Sequence, residues 1–210
     1  MKSDWGWENL EIDFALLPTI QKVLRVGEWK VTCAIRQDED SSRPRIITIF
    51  PGLKNEAWGV ACDIGSTTIA LHLVSLLSGS TIASSGTSNP QIRFGEDLMS
   101  RVSYVMMNPD GREGMTRAVR EALNELIAKA CAESHVDRHD ILDLVFVGNP
   151  IMHHLFLGID PTELGGAPSR LPSRAQSIAV PANSTSMSTA VRASTCCPAL
   201  PAMSAPMPPP

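Results

Sequence analysis

Polar and apolar positions alternate from Trp29 through Arg36, which predicts a strand. A charged, serine-containing turn over Gln37 to Pro44 leads to a second strand at Arg45–Phe50, closed by Pro51-Gly52. Ahead of this hairpin, Ile12, Leu16, Leu17, Ile20 and Leu24 form a helical stripe that Pro18 interrupts. The helix is therefore expected to start at Pro18, with proline in its first turn. Farther on, Trp58–Cys62 and Thr68–Leu76 are rich in apolar and β-branched residues, and Ser78-Gly79 turns the chain into Thr81–Ser84. These predict a three-strand meander. Residues Glu113 to Glu133 predict the clearest helix, with Val119, Leu123, Leu126, Ile127 and Ala130 on one face. Its other face carries Arg120 and a Glu121–Glu125–Lys129 ladder expected to be solvated. Ile141–Val147 is almost uninterruptedly apolar and reads as a buried strand, ended by Gly148-Asn149, with a helix from Pro150.

The turn between the first two meander strands carries the candidate chemistry. Asp63 stands at the end of one strand, where its carboxylate can hold the water shell of Mg2+. Gly65 lets backbone approach an anion without a Cβ in the way. Ser66, Thr67 and Thr68 offer N–H and O–H donors to phosphate oxygens. The pentapeptide by itself also describes an ordinary hairpin whose turn happens to be Gly-Ser-Thr. Strand, hydroxyl-rich turn and strand together resemble the way an actin-like (ASKHA, ribonuclease H-like) ATPase brings backbone to a nucleotide, so the fold class expected is α/β.

Two further blocks narrow the resemblance. Asn89-Pro90-Gln91-Ile92-Arg93-Phe94-Gly95-Glu96-Asp97 follows the meander, and Val145-Phe146-Val147-Gly148-Asn149-Pro150-Ile151-Met152-His153-His154 comes later. With the turn, they resemble the ATPase region of the reductive activators of corrinoid proteins over roughly Leu10 to Pro168. That family is modular: an iron–sulfur domain, a linker, and an actin-like region that uses ATP to help push an electron onto cobalt(II). The resemblance implies a linker domain over 1–54 that acts as a packing adaptor, and a first ATPase lobe over 57–168. It implies ATP and Mg2+ as cofactors and a corrinoid protein of a methyl-transfer system as partner, and leaves homodimeric assembly open. Gly148 and Asn149 become candidates for lining the nucleotide cleft. Asn89, Gln91 and Arg93 become candidates for a phosphate or a partner carboxylate, with a purely structural role equally open. Glu96 and Asp97 are expected to cap the following helix.

Composition bounds these expectations. A net charge of −4 over 210 residues argues against nucleic acid as the main partner, and no apolar run reaches the length of a membrane span. With no signal peptide legible at Met1–Trp5, a cytoplasmic location is expected. Cys33, Cys62 and Cys131 are isolated and read as inert thiols, Cys196-Cys197 are too close for a metal half-site, and ferredoxin spacing is absent. The family's iron–sulfur cluster is thus not expected here. Neighbours on a helix point about 100° apart, so His153 and His154 do not suit one metal ion; one is expected to pack and the other to be solvated.

Beyond Pro168 the character changes. No Asp or Glu follows Glu163, and Ser, Ala, Thr, Pro and Met dominate 169–210 without helical or strand period. A Pro/Ser-rich disordered tail is one reading. The sharper expectation is a family gene read out of frame. With GC-rich codons, a one-nucleotide shift over Val191 to Pro210 yields an apolar strand and glycine-rich turns. The family's second phosphate loop, which resembles D-I-G-T-N-G-E, does not occur, so a C-terminally frameshifted or truncated fragment, inactive alone, is expected. Two alternatives stay open: a small-molecule kinase of the same superfamily, and a non-catalytic interaction module.

Overall fold

A computed structural model describes residues 9–37, 43–166 and the backbone of 189–193. It is a mixed α/β structure with two sheets. In the first, β1 (Glu11–Ile12) pairs in parallel with β3 (Arg45–Pro51), and β2 (Val31–Arg36) pairs with β3 antiparallel. One helix, α1 (Ile20–Val26), packs against β3.

Two boundaries differ from the sequence expectation for local reasons. Ile12 enters β1 and Asp13 caps a 3-10 turn at Phe14–Leu16, accepting from the Ala15 N–H at 3.0 Å. The apolar stripe is thereby divided among three elements, and α1 starts at Ile20 rather than at Pro18. Strand β2 starts at Val31 rather than Trp29 because Glu28 and Trp29 have φ of +50° and +65°. That left-handed corner cannot continue into a pleated strand.

The second sheet has the order β6-β5-β4-β7-β8. Strands β4 (Trp58–Ile64), β5 (Thr68–Ser75) and β6 (Thr81–Ser88) form the expected meander. A 3-10 turn at Pro90–Phe94 and helices α2 (Leu98–Met107) and α3 (Gly111–Ser134) then carry the chain to β7 (Ile141–Gly148). Strand β7 lies parallel to β4, so that Asp63 pairs with Val147 and Ile64 with Gly148. Two short helices follow, α4 (Pro150–Leu157) and α5 (Thr162–Gly165).

The core lies on one side of this sheet. Ile69, Leu71, Leu73, Ile141, Leu144 and Phe146 meet Val119, Leu123, Leu126, Ile127 and Ala130 of α3, with Met152 and Phe156 of α4. The predicted apolar face of α3 is the face it buries. On its opposite side Glu121, Glu125 and Lys129 are exposed as expected, with two differences. The side-chain pairs are Glu113–Arg117 and Lys129–Glu133, both at 3.9 Å, and Arg120 is half-buried, donating to the Phe156 carbonyl at 3.0 Å over that ring. The far side of the sheet is open: Ala61, Asp63 and His72 are exposed, and Asp143, Val145 and Val147 are half-buried. Strand β7 is therefore buried on one face, not on both.

Strand β8 (Thr189–Ala193) pairs antiparallel with β7, from Leu144↔Ala193 to Gly148↔Thr189. It falls in 169–210, where no strand was expected; ladder pairing to an open edge is made by backbone and needs little side-chain pattern. The remainder of that segment, where the disordered or out-of-frame tail and Cys196-Cys197 were placed, lies outside the described residues.

The two sheets are joined by ion pairs. Arg36 of β2 meets Asp143 of β7 at 2.8 Å, and Lys54 meets Asp140 at 2.6 Å while lying over the Phe50 ring. Arg36, Asp143 and Asp140 are at most 15% exposed in their side chains.

Candidate functional site

Strands β4 and β5 are joined by Gly65-Ser66-Thr67, with the Gly65 N–H donating to the Thr68 carbonyl at 3.0 Å. A Cβ on residue 65 would stand 2.6 Å from that carbonyl oxygen, so the hairpin closes only on glycine. Thr67 and Thr68 are exposed and Ser66 half-buried; the turn lies at the surface rather than in the core. Asp63 is exposed just before it, on the open side of the sheet. Among the described residues, no hydrogen bond or ion pair engages its carboxylate.

The carbonyls of the turn are taken up from behind. Gly65 O accepts from Asn89 Nδ2 at 2.7 Å, Thr67 O accepts from the Asn89 backbone N–H at 2.7 Å, and Ser66 O accepts from a terminal nitrogen of the Arg101 guanidinium. A trans peptide sets its N–H opposite its carbonyl. Fixing these three carbonyls therefore turns the N–H groups of Ser66, Thr67 and Thr68 away from Asn89 and Arg101. Among the described residues, neither the Ser66 nor the Thr67 N–H has a hydrogen-bond acceptor. Adjacent outward N–H groups beside a free carboxylate suit a phosphate with a hydrated divalent cation.

Asn89 also caps the 3-10 turn, accepting from the Gln91 N–H at 2.9 Å, and Gln91 Nε2 donates to the Met115 carbonyl at 3.0 Å. Asn89 and Gln91 are 1% and 0% exposed. The sequence left both open between an anion or partner role and a structural one; here Asn89 braces the turn, and Gln91 ties the 3-10 segment to α3 and to Arg101. Arg93 is exposed and lies over the Phe94 ring, its guanidinium carbon 4.8 Å from the centroid.

Arg101 carried no assigned role in the sequence, yet it is the largest fully buried side chain among the described residues. It joins the turn to two other segments: Nε donates to Gly95 O at 2.9 Å and one terminal nitrogen lies 3.1 Å from Met152 Sδ. Burial pulls its pKa below the ordinary arginine value, and the nearby Asp97 charge opposes that shift. The only sequence signal was its place in α2, four residues after Asp97. Asp97 itself caps α2 as expected, accepting from the Ser100 N–H at 2.7 Å, which holds its carboxyl below the usual range.

On the parallel neighbour, Gly148 ends β7 beside Ile64, where an added Cβ would stand 3.1 Å from Ile64 O. Asn149 caps α4 by accepting from the Met152 N–H at 3.0 Å. The C-terminal ends of β4 and β7 and the start of α4 thus meet at one end of the sheet, the end at which open α/β sheets take ligands.

His153 and His154 are both buried, correcting the expectation that one is solvated. His154 Nδ1 lies 3.1 Å from Asp160 O, whereas His153 Nε2 has no hydrogen-bond partner among the described residues. Burial, then the neighbouring His154, holds the His153 imidazole below the ordinary histidine pKa. No group of three or more potential metal-ligating His, Cys, Asp or Glu occurs among the described residues. Cys62 and Cys131 are buried and Cys33 is half-buried. Burial and the adjacent Asp63 charge push the Cys62 thiol up to about 12, leaving it an inert packing group. No helix among the described residues is long and apolar enough to cross a membrane.

Comparison with known proteins places these features among relatives. Residues 1–56 match the family model described as the RACo linker region, and residues 58–205 match the RACo middle region. The chain is 36% identical over 126 residues to the corrinoid activation enzyme RamQ of Eubacterium limosum, covering 59% of this chain and 21% of that protein. It is also similar to the solved structure of a reductive activator for corrinoid, iron-sulfur protein. The TM-score is 0.69 at 34% identity, covering 80% of this chain and 26% of that one. The chain therefore spans about a fifth to a quarter of the length of these relatives.

Proposed function

The chain belongs to the family of the reductive activators of corrinoid proteins, and from that premise we propose that it forms part of an ATP-dependent activator of a corrinoid methyl-transfer protein. In this reading it supplies the linker and the first lobe of an actin-like ATPase region. The observation that carries the reading is the Gly65–Thr68 turn, whose carbonyls are held inward so that its N–H groups face out beside Asp63.

The residues fit the group they would hold. The N–H groups of Ser66 and Thr67 and the hydroxyls of Ser66, Thr67 and Thr68 bind and orient phosphate oxygens, and Gly65 keeps the approach clear. Mg2+ is commonly held through one carboxylate, waters and the phosphates themselves, which is the share Asp63 provides. Gly148 and Asn149 line the same edge. When bound, ATP supplies the favourable reaction to which reduction of cobalt(II) is coupled; these residues position it. Phosphoryl transfer depends on groups converging from several sides. The open face carrying Asp63 has no opposing wall among the described residues, so this chain alone is expected to turn ATP over slowly.

Amide-resolved NMR tests the reading. Addition of Mg2+ and ATP should shift the Ser66, Thr67 and Thr68 amides, Asp63→Ala should weaken the response, and hydrolysis should stay near background. Unmoved turn amides would refute nucleotide binding and favour a non-catalytic interaction module. Capture of a corrinoid protein by the chain, as opposed to a sugar or carboxylic-acid substrate, separates the activator from a small-molecule kinase.

A further inference from the structure

The geometry points to Arg101 as a positioning residue for the candidate phosphate turn: a buried positive charge behind the Ser66–Thr67 peptide that fixes its plane and favours an anion on its outer side. This rests on the phosphate-binding reading above and goes beyond it by assigning a residue that never touches the ligand.

A buried arginine ordinarily faces a carboxylate, because an unpaired charge in the interior is costly. Arg101 is 0% exposed, and every contact it makes is neutral: the carbonyls of Ser66 and Gly95, the amide oxygen of Gln91 at 3.5 Å and the thioether of Met152. Asp97 lies in the same helix, but its carboxylate is exposed and occupied with the Ser100 N–H. Among the described residues the cation therefore forms no ion pair, and the exposed Asp97 carboxylate answers its charge only at a distance.

The peptide it holds transmits that charge outward. The guanidinium binds the Ser66 carbonyl, and the N–H of the same peptide, on Thr67, points the opposite way. A phosphate oxygen accepted by that N–H would sit about 8 Å from the guanidinium, by ordinary bond and hydrogen-bond lengths. At that separation through protein, opposite charges still attract appreciably. The arrangement has a second effect. Asn89 holds the two flanking carbonyls, so Arg101 alone holds the middle one, and without it the Ser66–Thr67 peptide is free to turn its N–H away. Lysine would preserve the charge but not the fork that reaches Gly95, Gln91 and Ser66 together.

The experiment compares Arg101→Met and Arg101→Lys with the unaltered chain, measuring thermal unfolding without anion and titrating with Mg2+ and inorganic tripolyphosphate. Arg101→Met relieves a desolvated charge but leaves the Ser66 and Gly95 carbonyls without this donor, so the anion-free unfolding temperature is expected to change little or to fall modestly. Tripolyphosphate affinity of Arg101→Met should fall about tenfold, and Arg101→Lys should recover part of that loss. In the unaltered chain, the Arg101 Nε–H resonance should shift on titration, a readout that does not require a variant to fold. Equal affinities in the unaltered chain and Arg101→Met, or an Arg101 resonance that ignores a ligand that moves the turn amides, would overturn the inference while leaving the phosphate-binding reading in place. Turn amides of the unaltered chain that ignore tripolyphosphate would overturn both.

Discussion

Asn89 donates its side-chain amide to the Gly65 carbonyl at 2.7 Å while being 1% exposed, so the turn rests on a buried hydrogen bond. The same side chain accepts from the Gln91 N–H, coupling the turn to the segment that leads into α2. Asn89→Ala leaves the Gly65 carbonyl and the Gln91 N–H without these partners. It should cost about 1–3 kcal/mol in urea unfolding, and anion-induced shifts at Ser66 should weaken with it.

Gly65 is set by contact rather than by an unusual φ. Gly65→Ala places a methyl group 2.6 Å from the Thr68 carbonyl oxygen, a backbone atom that cannot swing aside. The hairpin must open to admit it, at about 1–3 kcal/mol of stability. Denaturation midpoints and loss of the Mg2+ and ATP response check this together.

The seam between the two sheets should depend on the Arg36–Asp143 pair, which is largely shielded from water. Asp143→Ala should destabilise the protein by about 1–3 kcal/mol. A double-mutant cycle with Arg36→Ala should return a coupling energy above that of exposed pairs, which give about 0.2–1 kcal/mol. The exposed Glu113–Arg117 pair serves as the low-coupling reference.

His153 makes stability depend on pH in a stated direction. Its folded-state pKa lies below the unfolded value of 6.5, so the unfolded chain binds the extra proton first. Its contribution is present above pH 6.5 and is lost as pH falls from there towards the folded pKa. Asp97 and Asp160, whose pKa values are also lowered, add an acid-side loss nearer the carboxylate range. Subtracting the unfolding curve of His153→Leu from that of the unaltered chain isolates the histidine. The stability of the unaltered chain minus that of His153→Leu should fall as pH drops below 6.5, because His153→Leu loses less stability on acidification.

Where side-chain pattern and backbone agree, the elements were legible in advance. The face of α3 through Val119, Leu123 and Ile127 follows from periodicity, and the meander from Trp58 and the strand at Ile141 follow from apolar, β-branched runs bounded by turn residues. Local backbone events were hidden. Nothing in Glu28-Trp29 announces two residues of positive φ, and the serine-rich sequence of β6 hides a strand that runs on to Ser88 through pairing with β5. At the candidate site, Asp63 and the hydroxyl turn could be found from small residues flanked by strands. Arg101 could not, because a lone arginine in an amphipathic helix usually faces water. Its burial depends on Met152 and Ser66, from two distant stretches of sequence, converging with the nearby Gly95. The burial of both His153 and His154 was equally out of reach, since it follows from how α4 seats on α3 and β7.

Strand β7 carries the linker's anchorage at Asp143 and the edge of the candidate site at Gly148, five residues apart. Extended chain of that length spans about 17 Å. It behaves as a strut between the two stations, clamped along its sides by β4 and β8. Tugging on the linker would then reach the anion end as lengthwise strain on one stiff rod, and a slip in pairing would be needed to relieve it.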